Sequence, residues 1–186
     1  MKMKKNVTNI SGLIKILSLT IMLAFIASLT TNAQGGKANF AGTWTLNAEK
    51  STPAPAPPAG GQGGGQGGGR GGFGGGPFVA TQDANNLSVS RTRNGQDGTP
   101  VTTVTKYTLD GKECVNMMGQ NESKSTATWS ADGKSLTIVT KTSFNGTDRT
   151  STAVWTITAP KTLSIATTAA GRDGAVTTRT QVYEIK

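Results

Sequence analysis

The chain has 186 residues, with 19 Lys and Arg against 10 Asp and Glu, no His and a single Cys. The missing His removes the commonest general base and the commonest metal ligand. One cysteine, Cys114, excludes an internal disulfide.

Residues 1–33 read as a secretory signal peptide. Lys2, Lys4 and Lys5 form a basic start, Ile10 to Leu29 is mostly apolar, and Thr31-Asn32-Ala33 places small residues where a signal peptidase inspects them. An uncleaved anchor is the alternative, but Lys15 and several Ser and Thr interrupt the apolar run. That is poor for a spanning helix of ~20 residues. No Cys follows the run to carry a lipid, so cleavage leaves no stable membrane anchor. The reading is an exported protein, periplasmic or extracellular. Cleavage after Ala33 leaves 153 residues, one domain over 34–186. It removes four Lys and no acid, so the net charge falls from +9 to +5. That balance helps solubility and does not by itself argue for a nucleic-acid partner. N-terminal sequencing of secreted material should begin at Gln34 or within a few residues of it. A full-length chain in the membrane fraction would overturn the placement.

The first strand is expected over 40–47. Residues 53–77 follow, Pro-rich and then Gly-rich, with 13 Gly. They lack the apolar side chains needed to offset ordering entropy, so they read as a disordered loop inserted after the first strand. Within it Gly69-Arg70-Gly71-Gly72-Phe73-Gly74 looks like the Arg-Gly-Gly boxes of RNA-binding proteins, but one Arg is no nucleic-acid footprint. The glycines also lack the Lys-Ser/Thr and the strand–helix context of a phosphate-binding loop.

Beyond the loop the chain carries a repeat. Leu87-Ser88-Val89 leads 20 residues later to Tyr107, Leu136-Thr137-Ile138 leads 19 later to Trp155, and Leu163-Ser164-Ile165 leads 20 later to Tyr183. Gly-containing turns at Asn94–Gly98, Asn145–Asp148 and Gly171–Gly174 centre the units. Tight turns at Asp110-Gly111-Lys112, Asp132-Gly133-Lys134 and Ala159-Pro160-Lys161 separate them. Alternating strands bounded by such turns are a hairpin signal. Further strands are expected over 77–82, 86–94, 100–109, 112–118, 123–130, 135–143, 148–157, 162–169 and 175–185. The fold class is all-β, an antiparallel up-and-down barrel of about 8–10 strands whose first and last strands pair and remove the exposed edges. A β-sandwich is the alternative.

The stretch Phe40-Ala41-Gly42-Thr43-Trp44-Thr45-Leu46-Asn47 resembles the opening strand of the lipocalin-like (calycin-type) domains of secreted bacterial proteins. The resemblance implies that Gly42 allows close backbone approach and that Trp44 plugs the closed base of the barrel. It implies a basic residue of the last strand, Arg179 or Lys186, against Trp44. The chain carries neither the lipocalin disulfide nor a Thr-Asp-Tyr motif, so the likeness is to looser lipocalin-like or fatty-acid-binding-protein-like barrels.

Alternation assigns faces. Leu87 and Val89 share a face with Arg91 and Arg93, Trp155 shares one with Arg149, and Tyr183 shares one with Gln181 and Arg179. The opposite faces are Ser- and Thr-rich, so the first set reads as the interior. Meander topology gathers Tyr107, Trp129, Trp155 and Tyr183, with Trp44, at the tight-turn end as an aromatic floor. It places Arg91, Arg93, Arg149 and Arg179 toward the other end. These eight residues are the candidate ligand-binding set, suited to a small apolar or amphiphilic anion, since Arg binds a carboxylate through two hydrogen bonds. The bland alternative makes the aromatics core and the arginines solvated rim.

No enzyme is expected. Most acids sit in turns, where Asp serves backbone geometry. Glu113 and Glu122 form no obvious pair, and no nucleophile–His pairing, metal-ligand cluster or cofactor motif is present. The competing function is a non-catalytic structural or protein-interaction barrel with a filled interior.

Overall fold

The computed structural model describes residues 36–53, 75–95, 97–118, 121–144, 146–171 and 174–185. The signal peptide read over 1–33, and residues 54–74 of the Pro/Gly-rich segment, lie outside the described residues. What is described belongs to one compact unit, Ala33–Lys186.

Ten antiparallel strands make a nearly closed barrel. In chain order they are β1 (Gly42–Asn47), β2 (Phe78–Gln82), β3 (Asn86–Asn94), β4 (Pro100–Thr108), β5 (Glu113–Met118), β6 (Asn121–Trp129), β7 (Ser135–Phe144), β8 (Thr147–Ala159), β9 (Thr162–Ala170) and β10 (Val176–Glu184). The sheet order is β4-β3-β2-β1-β10-β9-β8-β7-β6-β5. First and last strands pair, with Leu46 opposite Tyr183.

The sequence repeat is the register of this sheet. Leu87 stands directly opposite Tyr107, Leu136 opposite Trp155, and Leu163 opposite Tyr183. A spacing of 19–20 residues is what a hairpin needs to bring a leucine and an aromatic onto one rung. Such pairs contribute roughly 0.2–1 kcal/mol each beyond Ala–Ala. All six side chains are buried. The outward face is held by paired hydroxyls instead. Thr92 meets Thr102 and Thr168 meets Thr178, each at 2.7 Å, and Ser135 meets Thr156 at 2.9 Å. β-branched Thr suits the pleat on a half-solvated face, which accounts for the Thr-rich strands.

Residues 36–41 plug the tight-turn end, where the sequence placed the start of the first strand. Phe40 is fully buried, stacked on Trp129 at 5.7 Å and edge-on to Trp155 at 5.6 Å. Gln82 clips this segment in strand-like fashion. Its Oε1 accepts from the Phe40 amide at 2.9 Å and its Nε2 donates to the Ala38 carbonyl at 3.0 Å. Trp44 donates its indole N–H to the Phe40 carbonyl at 2.9 Å. Gly42 separates plug from strand at φ 153°, and a Cβ there would lie 2.7 Å from Ile185 Cδ1. The positive φ is what favours glycine here; the nearby atoms are side-chain atoms of Ile185 and Trp44 rather than backbone.

The barrel's seam lies between β4 and β5, although a tight turn joins them. Here a side chain replaces the ladder. Asn116 Oδ1 accepts from the Lys106 amide and Asn116 Nδ2 donates to the Lys106 carbonyl, both at 2.8 Å. The carboxamide thus copies the two-bond rung of an antiparallel pair. Asn116→Leu should lower stability by about 1–3 kcal/mol, from two net hydrogen bonds. It should also speed exchange of the Lys106 amide. Unchanged protection at Lys106 would show that the clip is not formed in solution.

Candidate functional site

β10 sends Arg179, Gln181 and Tyr183 to one face, alternating with Thr180, Val182 and Glu184 on the other. Gln181 and Tyr183 are buried and Arg179 is half-buried. Thr167 of β9 stands directly opposite Arg179. From β3, half-buried Arg91 lays its guanidinium over the Phe78 ring at 4.4 Å and donates to the Gly76 carbonyl at 3.0 Å. Phe78 in turn meets Tyr183 edge-on at 4.9 Å. Arg91 is thus linked to Tyr183 through Phe78, while Arg179 shares the alternating face of β10 with that tyrosine.

The polar atoms here are mostly donors. Arg179 Nε, Gln181 Nε2 and Thr167 Oγ1 are buried and have no hydrogen-bond partner among the described residues. The end of the Gly-rich segment covers the amide: a Cβ on Gly75 would come within 2.9 Å of Gln181 Nε2. Burial raises the Tyr183 phenol above its ordinary range, and the nearby Arg91 and Arg179 charges only partly oppose that. Its hydroxyl therefore stays protonated and able to donate. Burial likewise holds the Tyr107 phenol well above its ordinary range, with Arg91 opposing.

The described carboxylates lie elsewhere. Asp83, Asp97, Asp110 and Asp132 are exposed and serve turns. Backbone N–H groups of Asn85 and Asn86 on Asp83, and the Ser130 hydroxyl on Asp132, pull these acids below the usual range. Glu184, half-buried, is held by Lys50 at 2.7 Å. Among the described residues no group of three or more His, Cys, Asp or Glu gathers in a way that could hold a metal.

Of the eight residues singled out by alternation, Tyr107, Trp155 and Tyr183 are core, and Trp129 packs against it. Arg91 and Arg179 enter the interior. Arg93 is exposed near the end of β3, and Arg149 is exposed near the start of β8, in a shallow hollow with Ala170 and Gly171. Arg179 is not the basic partner of Trp44. Extending the β1–β10 register sets Ile185 opposite Trp44, six residues from Arg179 and so about 20 Å along the strand. Lys186, the other expected partner, lies outside the described residues. Among the described residues, Lys37 lies over an indole, 5.5 Å from the Trp129 ring. Gln181, Thr167, Phe78 and Phe40 are the residues that pattern reasoning left out. Gln181 shares the alternating face of Arg179 and Tyr183, so that signal was present.

No family model matches the chain, and no curated protein matches it. Similar solved structures include the fluorescent protein UnaG, wild type, at 14% identity and a TM-score of 0.45, covering 79% of this chain and 97% of that one. Two of its point variants match at 18% and 14% identity, with TM-scores of 0.44 and 0.43. The first covers 79% of this chain and 96% of its own, the second 78% and 95%.

Proposed function

We propose that this is a lipocalin-like, non-catalytic binding module of an exported protein, and that its barrel takes a small amphiphilic anion. One observation carries the reading: buried donors on β9 and β10 have no acceptor among the described residues, beside two guanidiniums. A buried donor left unsatisfied costs about 1–3 kcal/mol. A guest with anionic oxygens removes that cost, and a cationic guest would be repelled.

A fluorescent fatty-acid analogue should bind, and its uncharged alcohol counterpart should bind at least about tenfold more weakly, since a hydrogen bond to a charged group is worth roughly 1.5–3 kcal/mol. Arg179→Gln should remove much of that preference while circular dichroism keeps its β signature. Equal binding of acid and alcohol, or none of either, would sink the anion reading. The filled, protein-interacting barrel would then take its place. Exposed Val101 and Val104 on β4, with Val115 and Met117 on β5, flank the seam and would make its contact surface.

A further inference from the structure

We infer that the outward face of β5 and β6 is an interface between two copies of this chain, packed face to face about a twofold axis that runs across the strands. The inference is independent of the anion-binding reading above.

On β5, Cys114 packs against the core and Asn116 turns to the seam, so Val115 and Met117 alternate outward, 55% and 57% exposed. On β6, Ser123 and Ser125 are buried, so Glu122 and Lys124 point out. The register sets Val115 beside Lys124 and Met117 beside Glu122. One rung is therefore apolar and cationic, and the next is apolar and anionic. Across the seam, β4 adds Val104, 49% exposed. Six large apolar side chains are exposed among the described residues, and these are three of them.

Within one copy the charges of this face are poorly matched. Lys124 stands directly opposite Lys141 of β7, and like charges so placed are destabilising. Glu113 reaches Lys124 only at 4.0 Å, and Glu122 makes no ion pair among the described residues.

A twofold interface must be complementary to itself. An axis parallel to the two rungs and midway between them lays β5 over β5 and β6 over β6, antiparallel, and exchanges the rungs. Val115 then meets the partner's Met117, and Lys124 meets the partner's Glu122. Symmetry makes each contact twice. The charge pattern thus fits a second copy of the same face, with exposed apolar side chains meeting beside the ion pairs as in the centre and rim of an interface.

The test is sedimentation velocity of the exported protein beside its Glu122→Lys and Lys124→Glu variants. The parent should show a concentration-dependent dimer. Each reversal turns two attractive contacts into two repulsive ones, so each should raise the dimer Kd by about tenfold. The double variant recreates both pairs with their signs exchanged and should dimerise like the parent. An equimolar mixture of the two single variants should also associate, because a doubly basic face then meets a doubly acidic one. Both positions are exposed, so circular dichroism should stay the same throughout. A monomer at every concentration would overturn the inference. So would a dimer indifferent to the single reversals, or one that the double variant fails to restore, since the contact would then lie elsewhere.

Discussion

Trp44→Ala should destabilise the protein by about 3–5 kcal/mol, the usual cost of emptying a fully buried aromatic position. The side chain is 1% exposed, and its indole N–H is bonded to the Phe40 carbonyl. Two losses therefore combine. The truncation leaves a void at the base of the barrel, and it frees a carbonyl of the segment that seals that base. Phe40 bridges Trp129 and Trp155, so the damage spreads to the stacked rings. The near-ultraviolet circular dichroism of the aromatic cluster should fall along with the urea midpoint. Whole domains are stable by only about 5–15 kcal/mol, so this one change consumes a large share. A loss below about 1.5 kcal/mol would mean that the base repacks and that Phe40, not Trp44, is the plug.

Gln181→Met should act in the opposite direction on stability. The amide is 3% exposed and its nitrogen has no partner among the described residues. Methionine keeps the length of the side chain and removes the stranded donor. The ligand-free protein should gain about 1–3 kcal/mol, the size of an unsatisfied buried group. The same variant should bind a fatty-acid analogue more weakly than the parent. Stability rising while affinity falls is the signature of a group retained for a guest. A drop in stability would show that the amide has a partner within the folded chain, and the proposed site would lose one of its donors.

Much of the fold was legible because it is local. The 19–20-residue spacing of Leu87 to Tyr107, Leu136 to Trp155 and Leu163 to Tyr183 is a hairpin register written into the sequence, and the turns between are marked by Gly and Asp. Face alternation also put Arg179 and Tyr183 on one face of the last strand, although the topology was read as sending them toward opposite ends. Three features were not legible. The seam falls at β4–β5 although Asp110-Gly111 reads like the other turns. Whether two edges meet depends on how the whole sheet curls, not on the turn that joins them. Alternation could not rank Arg91 against Arg93, since both point the same way and only the extent of the covering chain separates a half-buried from an exposed position. Phe40 and Ala41, the end of the plug, were read as the start of the first strand over 40–47, whereas the strand begins at Gly42. The break at Gly42 is a backbone event that composition does not announce.

The sheet order also has a kinetic meaning. Eight of its nine neighbour relations join strands adjacent in sequence, and one joins β1 to β10. Within β2 to β4 and within β5 to β10 the strands can zip by short loop closures, which are fast, while β1 reaches β2 only across the long Pro/Gly-rich connection. Uniting them requires an encounter between distant chain positions, typified by the Lys50–Glu184 bridge across 134 residues. Non-local pairing of this kind slows folding because its closure entropy is spent before contacts repay it. The Pro/Gly-rich segment sits on the β1 side of that step. Its length enters the cost only logarithmically, ~0.6 kcal/mol per doubling. The chain can thus lengthen or shorten there with little effect on how fast the barrel shuts, whereas a change on the Leu46–Tyr183 rung acts directly on the slowest event.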